Sequence, residues 1–301
     1  MLVTGASGLL GSRITELASK NGHEVYSAYK EHQPAYGKPV VLDQTEEVQV
    51  RKLVKETRPE VIINSAAMTD VDLCESQPET ATLVNATSVG YLADASKEMD
   101  AFLIQISTDY VFSGDKGKYS ETDSPNPINQ YGLSKLKGER SAVRIGEGAY
   151  CIARASVVYG WGRAHRPNAA TYVYDKLSKK EKVSMVDDQY SSPTLNTNLA
   201  GMVLEIAERR IPGIMHTAGA SRLNRYDFAV DIARIFGMDT SLVSTVEAKN
   251  LNWKAKRPPD SSLNSAKASK TLTNVPLPIE QALRVFAREH SSLESLQETS
   301  S

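Results

Sequence analysis

The sequence is poor in cysteine. Cys74 and Cys151 are its only thiols, too few for a disulfide framework or, by themselves, for a metal cluster. The five histidines form no His-x-x-x-His pair, so no metal site is expected. Long apolar runs are missing too: stretches such as AFLI at 101–104 fall far short of the ~20 residues of a membrane helix. No basic-then-apolar leader precedes the first predicted strand. These absences predict a soluble, cytoplasmic protein with no membrane partner. Nor does either sign of charge prevail. Lys and Arg number 35 against 36 Asp and Glu, a net charge of -1, so nothing draws the chain as a whole to nucleic acid. Internal repeats and low-complexity tracts are lacking.

What is present suffices for a full core: 301 residues, 41% of them hydrophobic, fill one large domain or two moderate ones. Short β-branched runs alternate with stretches of helical period from the first residue. MLVT, LLGSRITELASKNG, HEVYSA, VVLD, a helix from about Thr45, and EVIINSAA follow one another. A helix over 78–98, the run AFLIQIS, a polar loop, a helix opening near Ile128, and AYCIARASVVYG continue the series. Such alternation specifies an α/β fold, a parallel sheet with crossover helices. In the first helix Leu10, Ile14, Leu17 and Ala18 share one stripe, and Gly22 stands where a C-terminal cap belongs. Near residue 160 the rhythm breaks and the architecture changes. The Ser-rich stretch after about His290 has no clear period and is predicted to fray.

The opening TGASGLLG sets Gly5, Gly8 and Gly11 between a strand and a helix, where backbone N–H groups and the helix dipole can receive a diphosphate. Gly5 permits the tight turn, Gly8 the close approach of phosphate, and Gly11 close packing of helix on strand. A merely tight turn would carry the same glycines; their place in the first strand-turn-helix favours a dinucleotide. The spacing, G-x-x-G-x-x-G, resembles that of the short-chain dehydrogenase/reductase superfamily. At the end of the second strand, where a carboxylate would grip the ribose of NAD, stand Tyr29 and Lys30. Lys30 and Arg13 are available to a 2′-phosphate, which favours NADP over NAD as cofactor. Asp43 either lies beside the adenine or caps the next helix through its spacing to Glu46.

A Tyr with Lys four residues later occurs three times, at Tyr26/Lys30, Tyr131/Lys135 and Tyr172/Lys176. Within a strand the first pair would stand ~13 Å apart, too far to act together. The third lacks a hydroxyl-bearing strand shortly before it. Only Tyr131/Lys135 follows the fifth strand, which ends QISTDYVFSG, and lies in the first turns of a helix, where both side chains share a face. Lys135 is expected to lower the pKa of the Tyr131 phenol and to hold a nicotinamide ribose. Tyr131 then protonates a carbonyl oxygen as hydride reaches its carbon, with Thr108, ahead of Ser107, hydrogen-bonded to that oxygen. Further on, Lys249, Lys254, Lys256, Arg257, Lys267 and Lys270 face a single anion, Asp260. Arg257, between lysine and prolines, is the candidate for a diphosphate, which a guanidinium grips bidentately. Arg222 and Arg225 stay undecided between site and surface.

Taken together, TGASGLLG, NSAAMTDVDLCESQP, ISTDYVFSG, PINQYGLSK, VDDQYSSPT and KRPPDSSLNSAK resemble the dTDP-4-dehydrorhamnose reductase family of extended short-chain reductases, over about residues 1–285. The resemblance implies a Rossmann-type doubly wound parallel sheet with a smaller C-terminal substrate domain. Residues 1–160, with a return segment near 185–215, would bind the cofactor; 161–290 would bind substrate, and 291–301 would be the frayed tail. It implies NADPH-dependent reduction of the C4 ketone of a nucleotide-diphosphate sugar, with Thr108, Tyr131 and Lys135 as the catalytic triad and, by superfamily analogy, a homodimer. Implied cofactor contacts are Gly5, Ser7, Gly8, Leu9, Leu10, Asp43, Ala66, Ala67 and Thr69, with Asn64 and Asn85 as organisers. Tyr110, Asn168 and Arg257 are the implied substrate-side residues. One departure concerns the sixth strand, which reads RASVV: Val157 stands where these reductases commonly carry Trp. The regulatory beta subunit of methionine adenosyltransferase belongs to the same branch and is a second reading, and a nucleotide-sugar epimerase or dehydratase is a third.

Overall fold

A computed structural model describes residues 1–146, 148–162 and 167–298. Its central sheet contains β1 (Leu2–Thr4), β2 (Tyr26–Tyr29), β3 (Lys38–Val41), β4 (Val61–Asn64), β5 (Phe102–Thr108) and β6 (Tyr150–Ala155). A seventh strand, Gly213–His216, lies beside β6, and the spatial order runs from it through β6, β5, β4, β1 and β2 to β3, all parallel. This is the doubly wound Rossmann-type sheet. Chain order reverses between β1 and β4, so the loops leaving these strands part in opposite directions and open a crevice at the C-terminal edge.

The strands are short apolar runs because both faces are covered. Leu2, Ile62, Leu103 and Ile152 point to one face, against α2 (Glu47–Thr57) and α5 (Ser88–Glu98). Their neighbours Val3, Ile63, Ile104 and Ala153 point to the other, with the Leu10–Ile14–Ala18 stripe of α1 (Leu9–Lys20) and with α8 (Asn196–Arg209). Gly22, at φ +83°, ends the first helix as predicted. The chain returns to the sheet through α8 and strand Gly213–His216. Between β4 and α5 lie α3 (Val71–Ser76), α4 (Pro78–Thr82) and a π-helical turn, Leu83–Thr87, within the helix predicted over 78–98.

A second apolar core begins where the rhythm breaks. Tyr159 joins Val173 of α7 (Ala169–Ser178), Phe228 and Ile232 of α9 (Arg225–Ile235), and Phe286 of the last helix, Ile279–Glu298. This last helix extends to Glu298, past the His290 point after which the sequence predicts fraying; residues 299–301 of that predicted tail lie outside the described residues. Two helix starts are set by polar side chains. The helix carrying Tyr131, α6 (Gln130–Ala142), opens after Asn129, whose Oδ1 accepts the Gly132 N–H at 2.8 Å. Helix α2 starts without the predicted Asp43 cap, because Asp43 Oδ1 accepts both the amide and the hydroxyl of Thr45 in a turn ahead of it. Among the described residues no helix is long and apolar enough to cross a membrane.

Candidate active site

The crevice is a cleft of about 910 Å³ that runs from the loop after β2, past the glycine loop, to the start of α6. Gly5, Ser7, Gly8, Leu9, Leu10 and Gly11 line its centre. Gly5 turns the chain at φ +66°, where a Cβ would sit 2.7 Å from the Ala66 backbone. At Gly11 a Cβ would come within 2.1 Å of the Gly5 carbonyl oxygen and 2.7 Å of Ser65 Oγ, so this glycine lets the helix start press on the loop. Gly8 differs: its Cβ would meet only the Gly5 carbonyl, at 3.2 Å. It is also the N-cap of α1 without a side-chain cap, leaving the first N–H groups turned to the cleft. These features fit a dinucleotide diphosphate. Replacing Gly8 with Ala is therefore expected to weaken NADPH binding about 10-fold or more while shifting the ligand-free melting temperature by no more than a few degrees. Isothermal titration and a melting curve check it; undiminished affinity would contradict the assignment.

At one end of the cleft Lys30 Nζ lies 2.6 Å from Asp43 Oδ2, and this hydrogen bond, with those from Thr45, pulls the Asp43 carboxyl down to about 2. Lys30 thus stands at the predicted position with a carboxylate beside it. Arg13 does not: its guanidinium is paired with Glu16 at 2.9 Å and Glu289 at 3.4 Å, and it is absent from the lining. Ala66, Ala67 and Thr69 line the wall after β4. Beneath them Asn64 accepts from Thr4 Oγ1 at 2.5 Å and donates to Gln105 Oε1 at 2.7 Å, tying three strands together. Asn85, in the π-helical turn, bonds both backbone groups of Met68 and Ser134 Oγ, so it fastens the wall to α6.

At the other end Thr108, Tyr131 and Lys135 converge. The Thr108 hydroxyl and the Tyr131 phenol both line this end, near enough for the hydroxyl to favour ionisation of the phenol. Ser107 is not available for this role, because its hydroxyl donates to Glu139 Oε1 at 2.5 Å below the sheet edge. Lys135 is 4% exposed and donates to the Ile106 carbonyl at 2.7 Å. Burial pulls its ammonium down to about 8, with nearby Glu139 opposing. The phenol departs from expectation: burial pushes its pKa up, the nearby Thr108 hydroxyl works against this, and the lysine lies on a carbonyl instead. The two other Tyr/Lys pairs are set apart; Tyr172 is 43% exposed, and Lys176 is paired with Glu181.

On the substrate side Tyr110 meets Tyr131 edge to face, ring centroids 5.8 Å apart. Asn168 lines the cleft, but its side chain is engaged as the N-cap of α7, with Oδ1 accepting from Ala170 and Thr171 and Nδ2 donating to the Gly160 carbonyl. Arg257 is absent from the lining. It is paired with Asp72 at 3.0 Å, donates to the Ala255 carbonyl at 2.9 Å, and lies over Trp253. Arg225, left undecided in the sequence, is among the described residues the guanidinium that lines the cleft, where its charge works against the effect of burial on the Tyr110 phenol. Its only sequence signal was the polar start of a helix. Val157 lines the cleft at φ +39°, a left-handed conformation unusual for a β-branched residue. Asp109, unmarked by any spacing rule, proves fully buried beside Thr108. Among the described residues no group of three His, Cys, Asp or Glu gathers to hold a metal.

Comparison with known proteins gives a consistent family. The RmlD substrate binding domain profile matches residues 1–292. The probable low-salt glycan biosynthesis reductase Agl14 of Haloferax volcanii is 36% identical over 267 residues, spanning 87% of this chain and 88% of that one. The methionine adenosyltransferase 2 subunit beta of Xenopus tropicalis is 35% identical over 80% of this chain and 73% of its own length. Among solved structures, the dTDP-4-dehydrorhamnose reductase of Bacillus anthracis in complex with NADP superposes with a TM-score of 0.86 at 31% identity, over 96% and 98% of the two chains.

Proposed function

The chain belongs to the RmlD substrate binding domain family, the dTDP-4-dehydrorhamnose reductases, and from that premise we propose that it reduces the C4 ketone of a nucleotide-diphosphate sugar with NADPH. The family is one of NAD(P)-dependent oxidoreductases, and NADP is the cofactor. The substrate we favour is dTDP-4-dehydrorhamnose. The observation that carries the reading is the convergence of Thr108, Tyr131 and Lys135 at one end of a cleft whose centre is an uncapped, glycine-lined helix N-terminus.

In this reading the glycine loop and the N-terminus of α1 hold the diphosphate, and Lys30 meets the 2′-phosphate. Bound NADPH supplies a hydride to the ketone carbon. Tyr131 donates its phenolic proton to the ketone oxygen. Thr108 orients that oxygen, and Lys135 holds the ribose. Residues 1–160 with the returning α8 and its strand form the cofactor domain, 161–290 the substrate domain, and the protein acts as a homodimer. Tyr110, Asn168 and Arg225 face the sugar; Arg257 supports that wall through Asp72.

Lys135 must be charged to perform its part. With its ammonium near 8, kcat/KM for NADPH is expected to decline above about pH 8, and Lys135→Arg to shift that decline beyond the accessible range. A wild-type profile flat to pH 10 would contradict this. The function itself is tested by assaying a panel of nucleotide-sugar ketones with NADPH and NADH: net NADPH oxidation supports the reductase, and interconversion without consumption supports an epimerase. A regulatory subunit is the second reading, favoured by the 35% identity to the methionine adenosyltransferase subunit. Co-purification with a methionine adenosyltransferase, together with no turnover on any ketone, would replace the first reading by the second.

A further inference from the structure

Three acids are buried among the described residues: Asp109, Glu139 and Glu205, at 2%, 4% and 7% exposure. Glu139 faces Arg154 and Glu205 faces Arg209. Among the described residues no cation faces Asp109. Around it are hydroxyls from three separate segments: Thr108 at the end of β5, Ser156 just beyond β6, and Ser261 in the late Arg-Pro stretch. Its Oδ2 accepts from Ser156 Oγ at 2.7 Å and Ser261 Oγ at 2.5 Å, while its Oδ1 lies 3.0 Å from Thr108 Oγ1. The two carboxyl oxygens therefore have different surroundings, one taking two hydrogens and the other sharing one with Thr108.

Where that shared hydrogen originates matters for the site. Thr108 has a single hydroxyl hydrogen, and its oxygen already accepts the Tyr110 N–H at 3.2 Å. If Asp109 is ionised, Thr108 must donate to it and has nothing left for a ketone oxygen. A carboxylate without a cation, removed from water, is also strongly disfavoured. We propose that Asp109 is a positioning residue kept as the neutral carboxylic acid, with Oδ1–H donating to Thr108 so that the Thr108 hydroxyl donates into the cleft. Oδ2 is then the carbonyl oxygen, suited to the two serine donors. Asp109 surrenders no proton during turnover; it only fixes the direction of the Thr108 hydrogen bond. Burial favours the same state, pushing this carboxyl up, and the three hydroxyls offset it only in part. Among the described residues the titratable groups facing it are Tyr131 of α6 and Tyr110 of its own segment. Asp260, next to Ser261, turns instead to Arg222.

The use made of the Thr108 hydrogen rests on the reductase reading, but the protonation state does not and is measurable on the resting protein. The infrared difference between wild type and Asp109→Asn at pH 7 should contain one protonated-carboxyl carbonyl band, shifted in D₂O. A difference confined to carboxylate bands would overturn the proposal. Stability gives a second readout. A carboxyl held neutral on folding stabilises fully below its unfolded pKa, and the benefit is lost as pH rises through the folded value. Wild type should therefore lose stability relative to Asp109→Asn as pH rises from about 4, the unfolded carboxyl value; a constant difference would count against it. In turnover, Asp109→Ala should lower kcat about 10²-fold, the scale of a lost oxyanion donor, and Asp109→Asn, which can donate and accept alike, should recover most of it. Asn as slow as Ala would mean a working carboxylate. If the Ala variant does not fold, the band and the pH dependence of the Asn variant decide. A band without ketone turnover would sink the reductase reading and leave the neutral acid standing.

Discussion

Replacing Tyr131 with Phe is expected to lower kcat for ketone reduction by about 10³-fold, within the range for a lost general acid, while NADPH binds nearly as before. The substitution removes one oxygen and keeps the ring, so the edge-to-face contact with Tyr110 survives. The helix is equally indifferent, since Asn129 caps it and Lys135 is held by the Ile106 carbonyl, independently of the phenol. What disappears is the proton donor that lines the cleft beside Thr108. The high pKa of the buried phenol keeps that proton in place at neutral pH, so Tyr131 is stocked as an acid. Stopped-flow turnover with fluorescence titration of NADPH separates the two effects. Undiminished kcat would remove Tyr131 from the chemistry; a parallel loss of affinity would make it a binding residue.

The second large effect lies below the site. Arg154 donates from Nε and Nη2 to the two carboxylate oxygens of Glu139, at 2.9 and 2.7 Å, and both side chains are almost fully buried. Removing either partner alone, as in Glu139→Ala or Arg154→Met, is expected to cost about 3–5 kcal/mol, because the remaining charge is left unpaired in the core. Glu139 also accepts the Ser107 hydroxyl and follows Lys135 by one helical turn, so the same loss should disturb the end of β5. The double substitution Glu139→Leu, Arg154→Met should recover much of the stability, since an apolar pair leaves no stranded charge. Urea unfolding of the three variants is the measurement. Single variants within about 1 kcal/mol of wild type would class the pair with surface ion pairs, whose contribution is that small.

The sequence reveals what depends on local pattern. Alternating apolar runs predict the parallel sheet, and the crevice follows from strand order. The glycine spacing marks the loop, and Tyr131/Lys135 stand out from their two twins by chain order alone. Side-chain partners set by distant segments are not legible in this way. Arg13 and Arg257 look like free cations in sequence, yet carboxylates from the last helix and from α3 hold them. Asn168 is polar and near the cleft, but serves a helix start. The expected fall in the Tyr131 pKa assumed an ammonium facing the phenol; the fold directs Lys135 to a backbone carbonyl, and burial prevails. Asp109 carried no signal because its meaning comes from Ser156 and Ser261, 47 and 152 residues away.

One labelling experiment tests the whole account most directly. NADPH deuterated at C4 of the nicotinamide is mixed with dTDP-4-dehydrorhamnose and the wild-type protein, and the sugar product is analysed by mass spectrometry. One deuterium is expected on the former ketone carbon for each NADPH consumed by transfer of the labelled hydride. Dinucleotide that binds but is never oxidised, with the ketone recovered unlabelled, would contradict it.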